Sequence, residues 1–405
     1  MKYWTGFLTA GIIGAITWAL MRLAEKFEEL VDMVYPYVSR TVLGVLAQWS
    51  SDVSFCLWQM GAMVLGILLL ASIVLMIAMK WNPLRWLGWV LTGAAIVYLL
   101  NTLVFGLNYY AGALADDIRL EVRQYSVQEL SDAAIYYRDK ANFLAKQVKR
   151  DENGDVLFDD FDTLAQKADN GFDTLVYKFS YPVFAGSKLP VKELGWANMY
   201  TSMGITGVTM GITGEAAVNP QIPAVSLPFT MCHEMAHRMS IANERDANFT
   251  GFLACMANED LQYQYSGYFM AYRYCYNALA SANTMETSAA AARVAVEVNE
   301  QLKHDMDSYT RLFSTRGNKF ATKVANTAND TYLRTSGDSS GVRSYGEVVD
   351  LLVSWHYQRV VQPSIIQTEK KFDPYDENQV DLTGIVHAKK REPAEARPDE
   401  GGGVG

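Results

Sequence analysis

Two of the five histidines in this 405-residue chain fall within one pentapeptide, His233-Glu234-Met235-Ala236-His237. Residues four apart share one face of an α-helix, so both imidazoles can reach a single Zn²⁺ if the segment is helical. Glu234, next to the first histidine, can then take a proton from water activated by that ion, the general-base step of a hydrolysis. A tetrahedral zinc that keeps one position open needs a third protein ligand, and Glu244 is the candidate. Asn243 is a good N-cap and Asp246 sits at the third helical position, so a second helix starts here. The linker from Arg238 to Asn243 lets the chain reverse and bring Glu244 back to the metal. Asn248, one turn further on, can hydrogen-bond a ligand histidine. Asp246 is the rival ligand, although it points about 200° away from Glu244 around the same helix.

The elements that must position these groups can be read around them. Pro228 suits the first turn of a helix, and no breaker follows before Arg238. Residues 185 to 225 are rich in Gly, Thr, Val and Pro, and read as short strands and turns. Ser126-Val-Gln-Glu129 is a capping box that opens a helix running to about Val148. Asp151-Glu-Asn-Gly-Asp155 has its glycine too early for a calcium loop and reads as a turn. Residues 283 to 303, with four consecutive alanines from Ala289 to Ala292, predict one helix, and Tyr345 to Trp355 another. The expected class is mainly α, with a small β element before the His-Glu-x-x-His helix. A helical domain spans 116–370, and 371–405 form a polar tail, disordered at its end.

The front of the chain has a different composition. Residues 3–21, 53–79 and 86–115 carry no charge, and each run suffices for a membrane-crossing helix. The expected spans are about 3–21, 53–79 and 86–107 within a membrane region 1–115, with residues 22 to 52 as a loop. Buried core helices are the alternative for the later runs. Lys2 could also open a signal peptide, but no small-x-small cleavage site stands out. The loop from Lys80 to Arg85 carries two basic residues and no acid, which assigns it to the cytoplasm; Lys2 agrees. Residues 116–405 then lie outside the cell membrane, on a multi-pass protein.

Charge and cysteine usage exclude other classes. Six basic and five acidic residues precede residue 116, leaving 29 and 39 after it, a net of −10. That acidic portion cannot supply the cationic surface nucleic acids require. Four cysteines make no disulfide scaffold, and Cys232, about 100° from His233 around the helix, reads as packing. His304, among Lys303, Asp305 and Asp307, reads as solvated surface. Glu215 reads as structural support near the cleft.

The segment HEMAHRMSIANERDANF resembles the gluzincin zinc metallopeptidases, which join His-Glu-x-x-His to a downstream Glu-x-x-Ala-Asn/Asp. It resembles more closely an uncharacterised family of three-helix, membrane-anchored proteins, mostly from Gram-positive bacteria. GEAAVN, LPFTMCHEMAH, YSGYFMAYRYCYNAL, SYGEVVDLLV and DPYDENQVDLTGIV carry that resemblance over most of the chain. Ser240 departs from it, since such proteins tend to have glycine there. The resemblance implies one Zn²⁺ per chain on His233, His237 and Glu244, with Glu234 as base and a protein or peptide as substrate. It also implies a residue that stabilises the developing oxyanion, for which His356, Tyr268, Arg273 and Tyr345 are candidates. Two rivals stay open: a non-catalytic zinc-binding scaffold or sensor, and a zinc hydrolase of cell-wall amides. Oligomeric state is not legible.

Overall fold

The computed structural model of the chain describes residues 3–337 and 344–363; the polar tail 371–405 lies outside the described residues. Four helices open the chain: α1 (Thr5–Lys26), α2 (Glu28–Ser50), α3 (Leu57–Ala78) and α4 (Pro83–Val104). All four are long and apolar enough to cross a membrane. Helices α1, α3 and α4 occupy the three uncharged runs. α1 and α4 run parallel: Thr92 Oγ1 donates to Gly6 O (2.9 Å) towards one end, and the Tyr98 hydroxyl reaches Met21 Sδ (3.8 Å) towards the other.

Helix α2 corrects the expectation of a loop over 22 to 52. Its acids gather in the first turns, leaving a helical stripe of apolar residues that a scan for uncharged runs passes over. Asp32 Oδ1 accepts from Gly112 N (2.8 Å), the Tyr35 hydroxyl donates to Leu103 O (3.0 Å), and Ser39 Oγ donates to Val104 O (2.6 Å). Further along, Arg40 Nε donates to Met239 O (3.1 Å), and Lys192 Nζ donates to Ser50 O (2.5 Å). The first half of α2 therefore lies against the end of α4 and the second half against the domain that follows, so the helix does not run alongside α4 through the bundle. The face turned away from these partners exposes Leu30, Met33, Tyr37, Val38, Val45 and Trp49.

The helical domain follows with α5 (Leu114–Asp117), α6 (Val127–Ala145), α7 (Phe161–Lys167) and α8 (Asp169–Tyr177). The capping box of α6 is present: Ser126 Oγ accepts from Glu129 N (3.2 Å), and Glu129 Oε2 accepts from Ser126 N (2.8 Å). Residues 151–155 form a turn in which Asp151 Oδ1 accepts from the amides of Asn153 and Asp155, both at 2.9 Å. Strand β1 (Lys192–Glu193), helix α9 (Ala197–Met203), and strands β2 (Gly207–Met210) and β3 (Glu215–Val218) come next. The sheet order is β1-β3-β2, with β1 parallel and β2 antiparallel to β3, and Thr209 opposite Ala216. Strand β2 is thus an edge.

The remaining helices are α10 (Leu227–Arg238), α11 (Glu244–Ala257), α12 (Leu261–Ser281), α13 (Met285–Ala295), α14 (Glu300–Arg316), α15 (Lys319–Ser336) and α16 (Ser344–His356). The single helix expected over 283 to 303 is broken, because Asn299 caps a new one by accepting from Leu302 N (2.7 Å). α10 is buried on every side from Pro228 to Arg238. It packs on the sheet, α11 and α12. Its early amide at Phe229 donates to Ser266 Oγ (3.0 Å), satisfying one of the donors a helix start leaves over.

Helix α3 is tied to this domain by its first turn. The Glu215 carboxylate accepts from Leu57 N (2.8 Å) and Trp58 N (2.9 Å) and pairs with Lys192 (2.8 Å). Glu215 is structural support, as its sequence context suggests. Residues Met1–His356 form one compact unit, with no break near residue 115, and Tyr357–Gly405 a second, described over 357–363.

Candidate metal centre

α10 presents His233 and His237 one turn apart, with rings edge-on at 4.7 Å and Nε2 atoms 3.2 Å from each other. The chain then reverses through Ser240, whose φ is +71°, and Ser240 N donates to His237 O (2.9 Å). This is the position where the resemblance expects glycine, and serine makes the left-handed turn. Asn243 caps α11, accepting from Arg245 N (3.0 Å), and places Glu244 as the first helical residue. Its carboxylate lies 3.4 Å from His233 Nε2 and 3.9 Å from His237 Nε2. The three ligand atoms all lie within 4.8 Å of one another. Asp246, the rival, is turned elsewhere: its carboxylate accepts from Leu114 N (3.1 Å) and from Arg245 Nε (3.0 Å).

The tautomer of His237 follows from its partner. Nδ1 lies 2.8 Å from Ile241 O, and a carbonyl can only accept, so Nδ1 carries the proton and Nε2 keeps its lone pair for a cation. Asn248 adjoins His233 and accepts from the Tyr274 hydroxyl (3.0 Å). His233 Nδ1 and Asn248 Nδ2 are both buried and without a hydrogen-bond partner. Exchanging the amide oxygen and nitrogen of Asn248 satisfies both: Oδ1 then accepts from His233 Nδ1, and Nδ2 donates to Tyr274.

All four central residues are buried. Burial pushes His237 down to about 4, against the pull of Glu244. At His233 burial also opposes charge, but the Glu244 carboxylate outweighs it and the net shift is upward. Burial pushes Glu234 up to about 7, while His233 and Thr209 draw it back. Two imidazole nitrogens and a carboxylate converging in a buried space form a donor set that suits zinc. On that chemistry the residues fit the ion, which His233, His237 and Glu244 would hold.

Glu234 is held from above by the edge strand. Thr209 Oγ1 lies 2.7 Å from Glu234 Oε2 and 2.9 Å from Glu234 O. At Gly207 a Cβ would stand 2.3 Å from Glu234 Oε1, so only glycine lets β2 lie this close. Phe105, just past the end of α4, packs its ring edge-on to His237 at 6.3 Å. Sequence reading missed Gly207, Thr209, Tyr274 and Phe105. The Gly-x-Thr spacing inside a strand-like segment upstream of the motif was the one available signal, for the first two.

The oxyanion candidates meet a different outcome. Tyr268 and His356 stand in an aromatic cluster with Tyr136 and Tyr137, Tyr268 also against Phe252, and Arg273 lies 4.2 Å over the Tyr309 ring. These three are engaged in packing. On α12, Tyr268 and Tyr274 are six residues apart and face directions about 120° apart, and it is Tyr274 that meets Asn248. Tyr345 falls in α16, but its side chain lies outside the described residues. His304 is a surface residue paired with Asp155 (2.7 Å), and Cys232 is a buried free thiol. Two cavities, of about 490 and 650 Å³, lie along α2 and are lined by neither the ligands nor Glu234.

No curated protein and no solved structure matches the chain. One family model does, over residues 31–353, from α2 through the candidate metal centre into α16. The chain belongs to that family, described as a protein of unknown function, DUF3810.

Proposed function

We propose that the chain is a membrane-anchored zinc metallopeptidase of gluzincin type. The observation that carries this reading is the convergence of His233, His237 and Glu244, with Glu234 adjoining them beneath an edge strand. Zinc, when bound, supplies a Lewis acid that acidifies water and polarises a carbonyl. Glu234 accepts the proton of the attacking water and returns it to the leaving amine. Its buried carboxyl, near neutrality, suits both directions of that transfer. The outer edge of β2 offers unpaired backbone groups to an extended peptide, which positions a carbonyl beside Glu234. The basic loop from Lys80 to Arg85 supports an extracytoplasmic site, since the domain lies at the opposite end of α4.

Metal analysis of the purified full chain beside Glu234→Gln tests the mechanism, with a mixed peptide library as substrate. Retained zinc in both, with hydrolysis lowered at least about a hundredfold in the variant, is the expected result. Wild type without zinc, or unchanged hydrolysis in the variant, would overturn it. The depth of the centre favours one second reading, a zinc that only ties α10 to α11: His233 and Glu244 are each 9% exposed and His237 7%. That reading predicts zinc in both proteins and hydrolysis in neither.

A further inference from the structure

The metal centre sits at one end of the membrane helices. Helix α4 leaves the charged loop at Arg85, and a bilayer's hydrocarbon thickness of about 30 Å takes roughly 20 helical residues. The far boundary therefore falls near Phe105, the residue whose ring packs against His237. The turn after β2 rests on the same place. At Gly211 a Cβ would stand 2.7 Å from Phe105 Cβ and 3.0 Å from Asn101 Oδ1, so the strand's end touches the last turn of α4.

Helix α2 marks the same level. Its inner face is bound to the last carbonyls of α4 and to Met239, just beyond the His-Glu-x-x-His helix. Its outer face is an exposed apolar stripe ending in Trp49. That is the pattern of a helix lying in the plane of a bilayer surface, with tryptophan at the interface. Helices α1 and α3, joined to its two ends, are themselves long and apolar enough to cross.

From this geometry we infer that the substrate is the segment of a membrane-anchored polypeptide that lies just outside the bilayer. Strand β2 runs from Gly207 and Thr209, both beside Glu234, to Met210, and Gly211 next to it meets the end of α4. A substrate strand paired along its free edge has one end at the membrane boundary and the other at the base. Four residues of strand span about 13 Å and Glu234 faces Gly207 to Thr209, so the cut falls roughly two to four residues from the substrate's own membrane span. This rests on the peptidase reading above.

The test uses the full chain in lipid vesicles with zinc supplied. Random decapeptide libraries are fused to a single apolar span through flexible linkers of about 0, 5, 15 and 30 residues, and one library carries no span. The expected result is cutting within about six residues of the span, including at zero linker, and at least about tenfold less cutting of the free library. Cutting of the free or long-linker libraries with none at zero linker would overturn the juxtamembrane inference and leave the peptidase intact. No cutting in any arm, with zinc bound, would overturn the peptidase reading and this inference with it. A second measurement is independent of activity. Ile212→Cys, exposed at the turn after β2, is labelled with a fluorophore; the four native cysteines are buried. Quenching by brominated lipids is expected, and an unquenched label would place the site away from the bilayer and overturn the inference.

Discussion

At Glu234, burial and hydrogen bonding pull in opposite directions. Burial raises the carboxyl, and the His233 charge and Thr209 hydroxyl lower it. On the proposed mechanism Glu234 accepts a proton and must be ionised, so hydrolysis is expected to fall as pH drops through this pKa. Thr209→Val removes a donor to the charged form and moves the acid limb to higher pH, lowering the rate there by up to about tenfold. Zinc content should not change. A kcat/KM profile against pH for both proteins checks this, and an unmoved limb would show that Thr209 has no hold on the base. The two candidate ligand histidines illustrate the same dependence on one neighbour each: the Ile241 carbonyl sets the tautomer of His237, and Asn248 adjoins His233.

Two elements control how closely these residues meet. Strand β2 approaches α10 only because residue 207 lacks a side chain. Gly207→Ala would drive a methyl into the Glu234 carboxylate, displacing the strand or the base. We expect at least a tenfold loss of hydrolysis with zinc retained, measured by turnover and metal analysis. The reversal between α10 and α11 turns on Ser240, where φ of +71° strains an L-residue and the buried hydroxyl has no partner. Ser240→Gly should stabilise the protein by about 0.5–1 kcal/mol, the relief of the left-handed strain exceeding the added chain entropy. Denaturant unfolding in detergent would read this, and a destabilised variant would contradict it. Other elements were legible beforehand. The helix carrying both histidines, the Asn243 cap and the Ser126 box depend on residues within one turn of each other, and local spacing encodes them.

On the scale of the whole molecule, the membrane helices and the metal domain are joined by buried polar contacts. Lys192 and Glu215 are the clearest case, since together they bind the end of α2 and the start of α3. Glu215→Ala leaves Lys192 without its carboxylate and two helix amides without an acceptor. The expected cost is about 3–5 kcal/mol, seen as a lower thermal midpoint and earlier proteolysis within 50–60. Replacing Lys192 by Met together with Glu215→Ala should recover part of that loss, because no charge is then left alone. An unaffected single variant would show that the pair does not hold the two regions together. Arg40 ties α2 to the residue that ends α10, so detergent that loosens α2 should also loosen the turn at Met239.

The sequence by itself determined what short-range geometry can determine. Four-residue spacing puts His233 and His237 on one helix face, a cap starts the helix of Glu244, and three uncharged runs are long enough for a bilayer. Each depends on period or composition within a few turns. Tertiary structure decided which distant groups meet. Thr209 reaches Glu234 across 25 positions, and Arg40 reaches Met239 across 199. Tyr274 rather than Tyr268 faces the centre because α12 packs with one side towards α11 and another towards α6. Helix α2 was unreadable as a sequence for the same reason: an apolar stripe with charges at one end fits a span or a surface helix equally. Hydrogen bonds to residues 65 to 199 positions away decide its place, the first half against the end of α4 and the rest against Met239 and Lys192.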